Sequence, residues 1–518
     1  MTQTAGPARP IGPQHAGALF VAAFGLFMLC RRSDFLPYVP AMIVVAPILI
    51  LRFSRTQPPL RSMLLTTLGF VLAFNIALWG VFDMGDPTLS LVFNVVRSTI
   101  IALYYALPYV IDRAVTPRLG RSLYTTLVFP AAMTSVMFVS SLIPPIDGTQ
   151  AKNVFATAPA PLLQLYALTG LWGFVFLWSW LAACVNHAWE RGFRLRPLAL
   201  AGSAFAAVAG TLAVWGALRI ANAPDIPTVR LAAAVMPAEP EGIGSMTEVF
   251  EDRKTSPYEA TMSTLASMVE EAAAGGAKIV AFSEFAIVVR EADRAAALAA
   301  FSRMARDRHL WLALPYAWVP PTGKGANRHL LIDDSGRIVA DYQKRFLLGF
   351  GDFGENAVFE KGAEVIQTVD TPFGRIALSI CRDMSFPRYA RQAGQAGADL
   401  MLVGSHEFPK GITVNDPHRA IENGFTQVRP TFDGITYAID PYGRMLGRTD
   451  RATGTRAMLL VDVPTRGVAT VYARFGDWLA WLSMVALLLC SIAAIANPHR
   501  RHADGAVSAR QRHQCGGG

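Results

Sequence analysis

Charge is scarce in this sequence. Of 518 residues only 16% are Asp, Glu, Lys or Arg, while 52% are hydrophobic; soluble domains carry about 25% charged residues. The deficit points to membrane spans, and it is uneven: residues 1–220 are mostly apolar, whereas 225–470 have an ordinary soluble composition. Cysteine is scarce too. Cys30, Cys184 and Cys490 fall in apolar runs and Cys515 in a polar tail, which leaves Cys381 alone in the soluble part. That distribution suits neither a disulfide framework nor a metal site. His406 and His418 have no third ligand at helpful spacing. No Gly-x-Ser-x-Gly elbow is present, which argues against a serine hydrolase. Gly349-x-Gly351-x-x-Gly354 spells a dinucleotide fingerprint but opens no helix in a βαβ unit, so no cofactor is expected. The net charge of +9 comes without a basic stripe interleaved with aromatics, so nucleic acid is not an expected partner.

Apolar runs fill the first half instead. Seven candidate spans fall at about 16–30, 35–52, 63–83, 89–112, 122–144, 160–186 and 196–220, most near the ~20 residues that cross a hydrocarbon layer. Pro37 and Pro40 make a re-entrant pair an alternative for the first two. Arg31 and Arg32 directly follow the first run, so it lacks the cleavage site of a secretory signal. Arg52, Arg55 and Arg61, then Arg113, Arg118 and Arg121, then Arg191, Arg194 and Arg196 mark the even loops as cytoplasmic. An odd number of spans then places 221–474 outside. A last span, 478–496, begins with Trp478 and Trp481 and returns Arg500, Arg501, Arg510 and Arg512 to the inside. The expected organisation is a disordered N-terminus (1–15), a membrane domain (16–220), a Pro-broken linker (221–229), a globular domain (230–474), a C-terminal transmembrane helix (475–497) and a basic tail (498–518). Gly202, Ala206 and Gly210, four apart, offer a stripe for close helix packing.

In the globular part, strands near 230–236, 278–283, 311–318, 328–333, 338–342, 365–369, 374–380 and 399–404 alternate with helices near 257–274, 291–308 and 387–396. That alternation argues an α/β domain. Three reactive side chains stand at or just past strand C-terminal ends, where α/β sheets place their chemistry: Glu284, Lys344 and Cys381. A lone cysteine in such a place is more often a buried core residue. Together the three make a kit for acyl transfer through a thioester, because a carboxylate can take the thiol proton and an ammonium can hold the oxyanion.

Phe282-Ser283-Glu284-Phe285-Ala286, Tyr342-Gln343-Lys344-Arg345-Phe346-Leu347 and Ser379-Ile380-Cys381-Arg382-Asp383 resemble, in order and approximate spacing, the three signature blocks of the nitrilase (carbon–nitrogen hydrolase) superfamily. The resemblance implies a four-layer αββα sandwich, with Glu284 as general base, Lys344 as oxyanion cation and Cys381 as nucleophile. The spans around such a domain resemble the apolipoprotein N-acyltransferase family, its membrane-bound branch. Lys344–Asp352, Arg419–Gly424 with Arg429, Gly434–Asp440 and Thr470–Asp477 resemble that family's local blocks. Departures fall at Gly404–Pro409, where the family has an Asn-Asp-Ala-Trp-Phe-Gly-like loop, at Phe432-Asp433-Gly434, at Arg382, and at Asp352, which stands for a glutamate. They bear on the acceptor.

The family resemblance implies a bacterial inner-membrane enzyme with its catalytic domain on the periplasmic side. It would move an acyl chain from a phospholipid donor, through a Cys381 thioester, to the α-amine of a diacylated apolipoprotein. Asp352 and Asp383 are expected either to orient Lys344 or the acceptor amine or to be surface acids. Glu422 would brace the site or serve the helix structurally, and Arg419 and Arg429 would form structural ion pairs. The alternative is a membrane-tethered amidase or hydrolase with water as acceptor. A non-catalytic scaffold fits poorly with three intact blocks.

Overall fold

The computed structural model describes residues 13–30, 39–79, 87–120, 122–143, 158–237, 258–349, 354–407, 418–450 and 454–496. The basic tail, Cys515, Asp352 and the loop residues Phe408 and Pro409 lie outside them, as does most of the N-terminus expected to be disordered; its last three residues, from Pro13, already belong to a helix. Contacts divide the chain into two units, 1–147 with 171–213 and 477–518, and 148–170 with 214–476.

The first unit is helical. Among the described residues six helices are long and apolar enough to cross a membrane: Pro59–Ala77, Pro87–Leu119, Leu123–Ser140, Leu171–Trp189, Leu195–Ala221 and Trp478–Ala496. Pro13–Leu29 and Met42–Thr56, with 17 and 15 residues, fall short of that length. Interlocking rings of Phe24, Phe27, Phe70, Phe74 and Tyr105 pack the interior. Arg55 makes a two-point pair with Asp112, both contacts at 2.8 Å, and reaches Glu190 at 3.2 Å. The connections around 52–61, 112–121 and 190–196 therefore meet at one end of this unit. Breaking such a buried pair strands a charge, at a cost of about 3–5 kcal/mol. Among the described residues nothing lies within 4 Å of where a Cβ would sit on Gly202 or Gly210 of the small-residue stripe.

The span expected at 160–186 is broken. Ala160–Leu163 and Leu165–Thr169 are short helices of the second unit. Gly170 ends them with φ +62, and an added Cβ there would meet Tyr472 Cε2 at 2.4 Å. The apolar run is continuous through this point, so hydropathy does not show the break. Only glycine accepts both the left-handed backbone and the close ring.

The second unit holds two sheets. Its strands are β1 (Thr228–Val235), β2 (Ile279–Phe282), β3 (Ile287–Arg290), β4 (Trp311–Val319), β5 (Ala326–Ile332), β6 (Ile338–Gln343), β7 (Thr368–Thr371), β8 (Gly374–Ile380), β9 (Leu400–His406), β10 (Thr426–Arg429), β11 (Thr431–Phe432), β12 (Tyr437–Ile439), β13 (Met445–Arg448) and β14 (Ala457–Pro464). One sheet runs β14-β1-β2-β4-β5-β6 with β3 beside β4; the other runs β13-β12-β10-β9-β8-β7 with β11 beside β9. The two-residue period of β1 assigns its faces. Leu231 and Ala233 join Leu378, Ile380, Leu400 and Leu402 in a core between the sheets. Ala232 and Ala234 join Leu265, Met268 and Phe301, which cover the outer face from helices Tyr258–Ala274 and Glu291–Asp307. Helix Pro387–Gln395 contributes Tyr389, Ala390 and Ala393 to the packing of the second sheet. This is the nitrilase-like layered sheet domain that the resemblance implies.

One close approach registers the sheets on each other. A Cβ on Gly404 would meet Pro315 Cγ at 2.4 Å and the Phe282 carbonyl oxygen at 3.3 Å. The glycine lets β9 lie against the end of β2 and the middle of β4. Gly404→Ala should therefore lower the thermal midpoint of the purified protein by several degrees, the equivalent of about 1–3 kcal/mol of overpacking. An unchanged midpoint would mean the sheets separate at no cost.

Candidate active site

Glu284, Lys344 and Cys381 follow β2, β6 and β8 and converge. Lys344 Nζ donates to Glu284 Oε1 at 2.8 Å and to Glu355 Oε1 at 2.7 Å. Asn327 Nδ2 also donates to Glu284 Oε1, at 2.7 Å, and the His406 backbone N–H donates to Glu284 Oε2 at 3.1 Å. The Cys381 thiol points at the carbonyl of the same residue, His406, with Sγ to O 3.3 Å. One residue at the end of β9 thus links the carboxylate, through its N–H, and the thiol, through its carbonyl. Lys344 and Glu284 are buried, with 2% and 1% of their side chains exposed. Non-glycine residues with left-handed backbone cluster here: Cys381 at φ +41, Phe285 at +56 and Asp433 at +54. Such strain is held only where the surroundings over-determine it, and it gathers at functional sites.

Electrostatics separate the three roles that these groups can play. Burial pushes the Cys381 thiol up to about 12; the Glu284 and Glu407 carboxylates push the same way, and Lys344 and Arg429 oppose them. A neighbouring ammonium by itself lowers a thiol. Burial and the carboxylates outweigh it, so the resting sulfur is protonated. Burial alone would also lower Lys344, but Glu284 and Glu355 hold it well above the usual lysine range, so it stays an ammonium. Glu355 is raised by burial, against the pull of Lys344.

Glu355 is the acid that sequence reasoning missed. It opens a short helix, Glu355–Val358, right after Gly354. Its Oε2 accepts the Leu348 backbone N–H at 2.6 Å while Oε1 holds Lys344. Asp352, which the sequence offered as the lysine-block acid, lies outside the described residues; the glutamate following Gly354 is an acid seen on Lys344. Asp383 does not orient Lys344 by contact. It is fully buried and accepts the Tyr342 hydroxyl at 2.5 Å and the backbone N–H groups of Phe346 and Ile380 at 2.7 and 3.3 Å. It clamps the loop after Lys344 to the turn that carries Cys381, and burial lifts its carboxyl to about 7 against those hydrogen bonds. Glu422 pairs with Arg419, which donates to the Met384 carbonyl at 2.8 Å, so both brace the turn after Cys381 from behind. Arg429 pairs with Glu407 at 2.7 Å. His406 lies 3.7 Å from Asp433, and His418 is buried with its ring 5.7 Å from that of Tyr166.

Residues 233–471 match the carbon–nitrogen hydrolase family. This part of the chain is a carbon–nitrogen hydrolase domain of the nitrilase superfamily. A deaminated glutathione amidase from Mus musculus is 28% identical over 37% of this chain and 70% of that protein. An apolipoprotein N-acyltransferase from Gloeobacter violaceus is 29% identical over 46% of this chain and 50% of that protein, and one from Azotobacter vinelandii is 28% identical over 45% and 49%. The chain spans about half the length of the acyltransferases it matches. The crystal structure of an amidase from Nesterenkonia sp., 22% identical, covers 49% of this chain and 95% of that one with a TM-score of 0.38.

Two measurements follow from the geometry of the carbon–nitrogen hydrolase domain. Iodoacetamide trapping of Cys381, taken against a Cys381→Ala control, should rise about tenfold per pH unit up to about pH 11, because the thiolate is the reacting form. A plateau near ~8.5, the free-cysteine value, would contradict the buried, acid-flanked thiol. Glu355→Gln should lower turnover by on the order of 10²-fold by loosening Lys344, whereas Asp352→Asn should cost less than about threefold. The reverse order would return the lysine-block role to Asp352.

Proposed function

We propose that the chain is a membrane-bound acyltransferase that moves an acyl chain from a phospholipid to the N-terminal amine of diacylglyceryl-cysteine lipoproteins, through a thioester on Cys381. The observation that carries this reading is the meeting of Glu284, Lys344 and a protonated Cys381 at the strand ends of a chain whose described residues also include six helices of membrane length. Relatives named apolipoprotein N-acyltransferase support it. In the same reading the protein sits in a bacterial inner membrane with the globular domain on the periplasmic side, as the arginine distribution of the loops favours.

Glu284 takes the thiol proton, since a sulfur held neutral by its surroundings needs a base to become a nucleophile. The thiolate attacks the ester carbonyl of the donor. Lys344 and a backbone N–H beside Cys381 hold the oxyanion. The tetrahedral adduct collapses, the C–O bond breaks, and the lysophospholipid alkoxide leaves with the proton from Glu284. The acceptor amine then attacks the thioester. Its proton passes by way of Glu284 to the leaving sulfur as the C–S bond breaks, and the thiol and the carboxylate are restored. Asn327 and the His406 N–H keep Glu284 aimed during both halves, and Glu355 keeps Lys344 in place.

Incubation of detergent-purified protein with phosphatidylethanolamine should add the mass of one acyl chain to the wild type and none to Cys381→Ala. Hydroxylamine should remove it. A folded preparation that gains no adduct overturns phospholipid as donor and favours a hydrolase using water, for which soluble amides and nitriles are the substrates to screen.

A further inference from the structure

The loop after β9 places a carboxylate beside the nucleophile that the reaction above does not use. His406 ends β9 with its carbonyl on Cys381 Sγ. The next residue, Glu407, is fixed by its backbone N–H donating to the Phe432 carbonyl at 2.9 Å. Its Oε1 accepts Arg429 Nη2 at 2.7 Å. Its Oε2 has no hydrogen-bond partner among the described residues, and 26% of the side chain is exposed. Glu407 raises the proton affinity of the Cys381 thiol and Arg429 lowers it, so both charges are felt at the sulfur.

The surroundings suit a cation better than an anion. Arg429 is already turned to Glu407, with 10% of its side chain exposed. Asp433, 12% exposed, adds a second carboxylate 3.7 Å from His406 Nε2. The His406 ring stands edge-on to Phe432 and Phe285, at 4.9 and 6.3 Å between centroids. Two carboxylates, one guanidinium and an imidazole between apolar rings make a rim with one acceptor edge unfilled. A carboxylate has about four lone-pair positions, so a guanidinium on one oxygen leaves the other able to take an N–H donor.

We propose that Glu407 recognises a primary ammonium group brought to the Cys381 thioester. The proposal rests on the acyl-transfer reading in taking the thioester as the intermediate. Two substrates carry such a group: the acceptor, as its α-amine, and a donor with an ethanolamine head group. For the acceptor, Glu407 holds the ammonium until one proton passes to Glu284. The free amine then attacks the thioester carbonyl, the C–N bond forms and the C–S bond breaks. The remaining extra proton on nitrogen goes to the leaving sulfur, giving amide and thiol, and Glu284 returns its proton to water.

The test uses the full detergent-purified chain and Glu407→Gln, which keeps the size and the oxygen facing Arg429 but loses the charge. Cys381 is first acylated with a p-nitrophenyl acyl ester, so no phospholipid is needed. Discharge is followed by intact mass with a diacylglyceryl-cysteine peptide and with hydroxylamine, a neutral nucleophile. If the acceptor supplies the ammonium, Glu407→Gln lowers the preference for peptide over hydroxylamine by about tenfold, the worth of one charged hydrogen bond. Glu407→Asp recovers part of that preference. If the donor supplies it, Glu407→Gln instead erases a preference for phosphatidylethanolamine over phosphatidylglycerol in acyl-enzyme formation. Unchanged ratios in both arms, or equal losses with charged and neutral partners, overturn the proposal. Wild type that is acylated by the aryl ester but not by phospholipid overturns the lipid-donor reading and leaves the peptide arm to decide this one. No acylation of Cys381 by the aryl ester overturns both.

Discussion

The buried ion cluster of Glu284, Lys344 and Glu355 is the constraint on which the rest of the globular domain depends. An ammonium with 2% of its side chain exposed sits between two carboxylates at 2.8 and 2.7 Å. Removing such charges from water is costly unless every remaining donor and acceptor is met. Here Asn327 and the His406 N–H complete Glu284, and the Leu348 N–H completes Glu355. These partners come from β5, from β9 and from the loop after β6. The cluster can form only if both sheets end in register on the same side. The fold is therefore tied to the site by electrostatics as well as by the apolar core between the sheets.

That registration explains features distant in sequence. Gly404 is bare so that β9 can touch β2 and β4. Asp383 is buried with its carboxyl shared among Tyr342, Phe346 and Ile380, which joins the lysine loop to the cysteine turn. Arg419, anchored by Glu422, supports the turn through the Met384 carbonyl. Left-handed backbone at Phe285 and Cys381 then aims the residues beside it, and the strain is tolerated because the clamps allow no other path.

How much of this the sequence discloses depends on whether the signal is local. Glu284, Lys344 and Cys381 stand out because each follows a short apolar strand, and a strand end is written in a few consecutive residues. The alternation of β1, β2 and β4 with helices is legible for the same reason. The strands from Thr426 to Pro464 are not. Those from β10 to β13 are short, and the longer β14 pairs antiparallel with β1 more than 200 residues earlier in the chain, a partnership no window of sequence contains. Glu355 was missed because its helix has one turn and its partner is fixed by the fold of the loop before it. Residues 160–170 were misread because hydropathy records how apolar a stretch is and cannot see the positive φ of Gly170 or the Tyr472 ring against it.

The burial of the site also limits which chemical steps it can support. A thiol lifted to about 12 would leave the protein inert if the reaction had to wait for spontaneous ionisation. Passing its proton to Glu284 does not create a charge: it moves one, from a carboxylate to a sulfur, while Lys344 remains an ammonium throughout. Attack on a carbonyl moves the same charge again, from sulfur to oxygen, and collapse returns it. During acylation of Cys381 the pocket holds the same net charge at every stage, which is the condition a buried site of low dielectric response imposes. The second carboxylate, Glu355, keeps Lys344 charged when Glu284 is the protonated partner. Without it, protonating Glu284 would remove the lysine's close counter-charge at the moment the oxyanion forms. The pairing of one ammonium with two carboxylates thus follows from the need to move a single negative charge through a buried site without adding another.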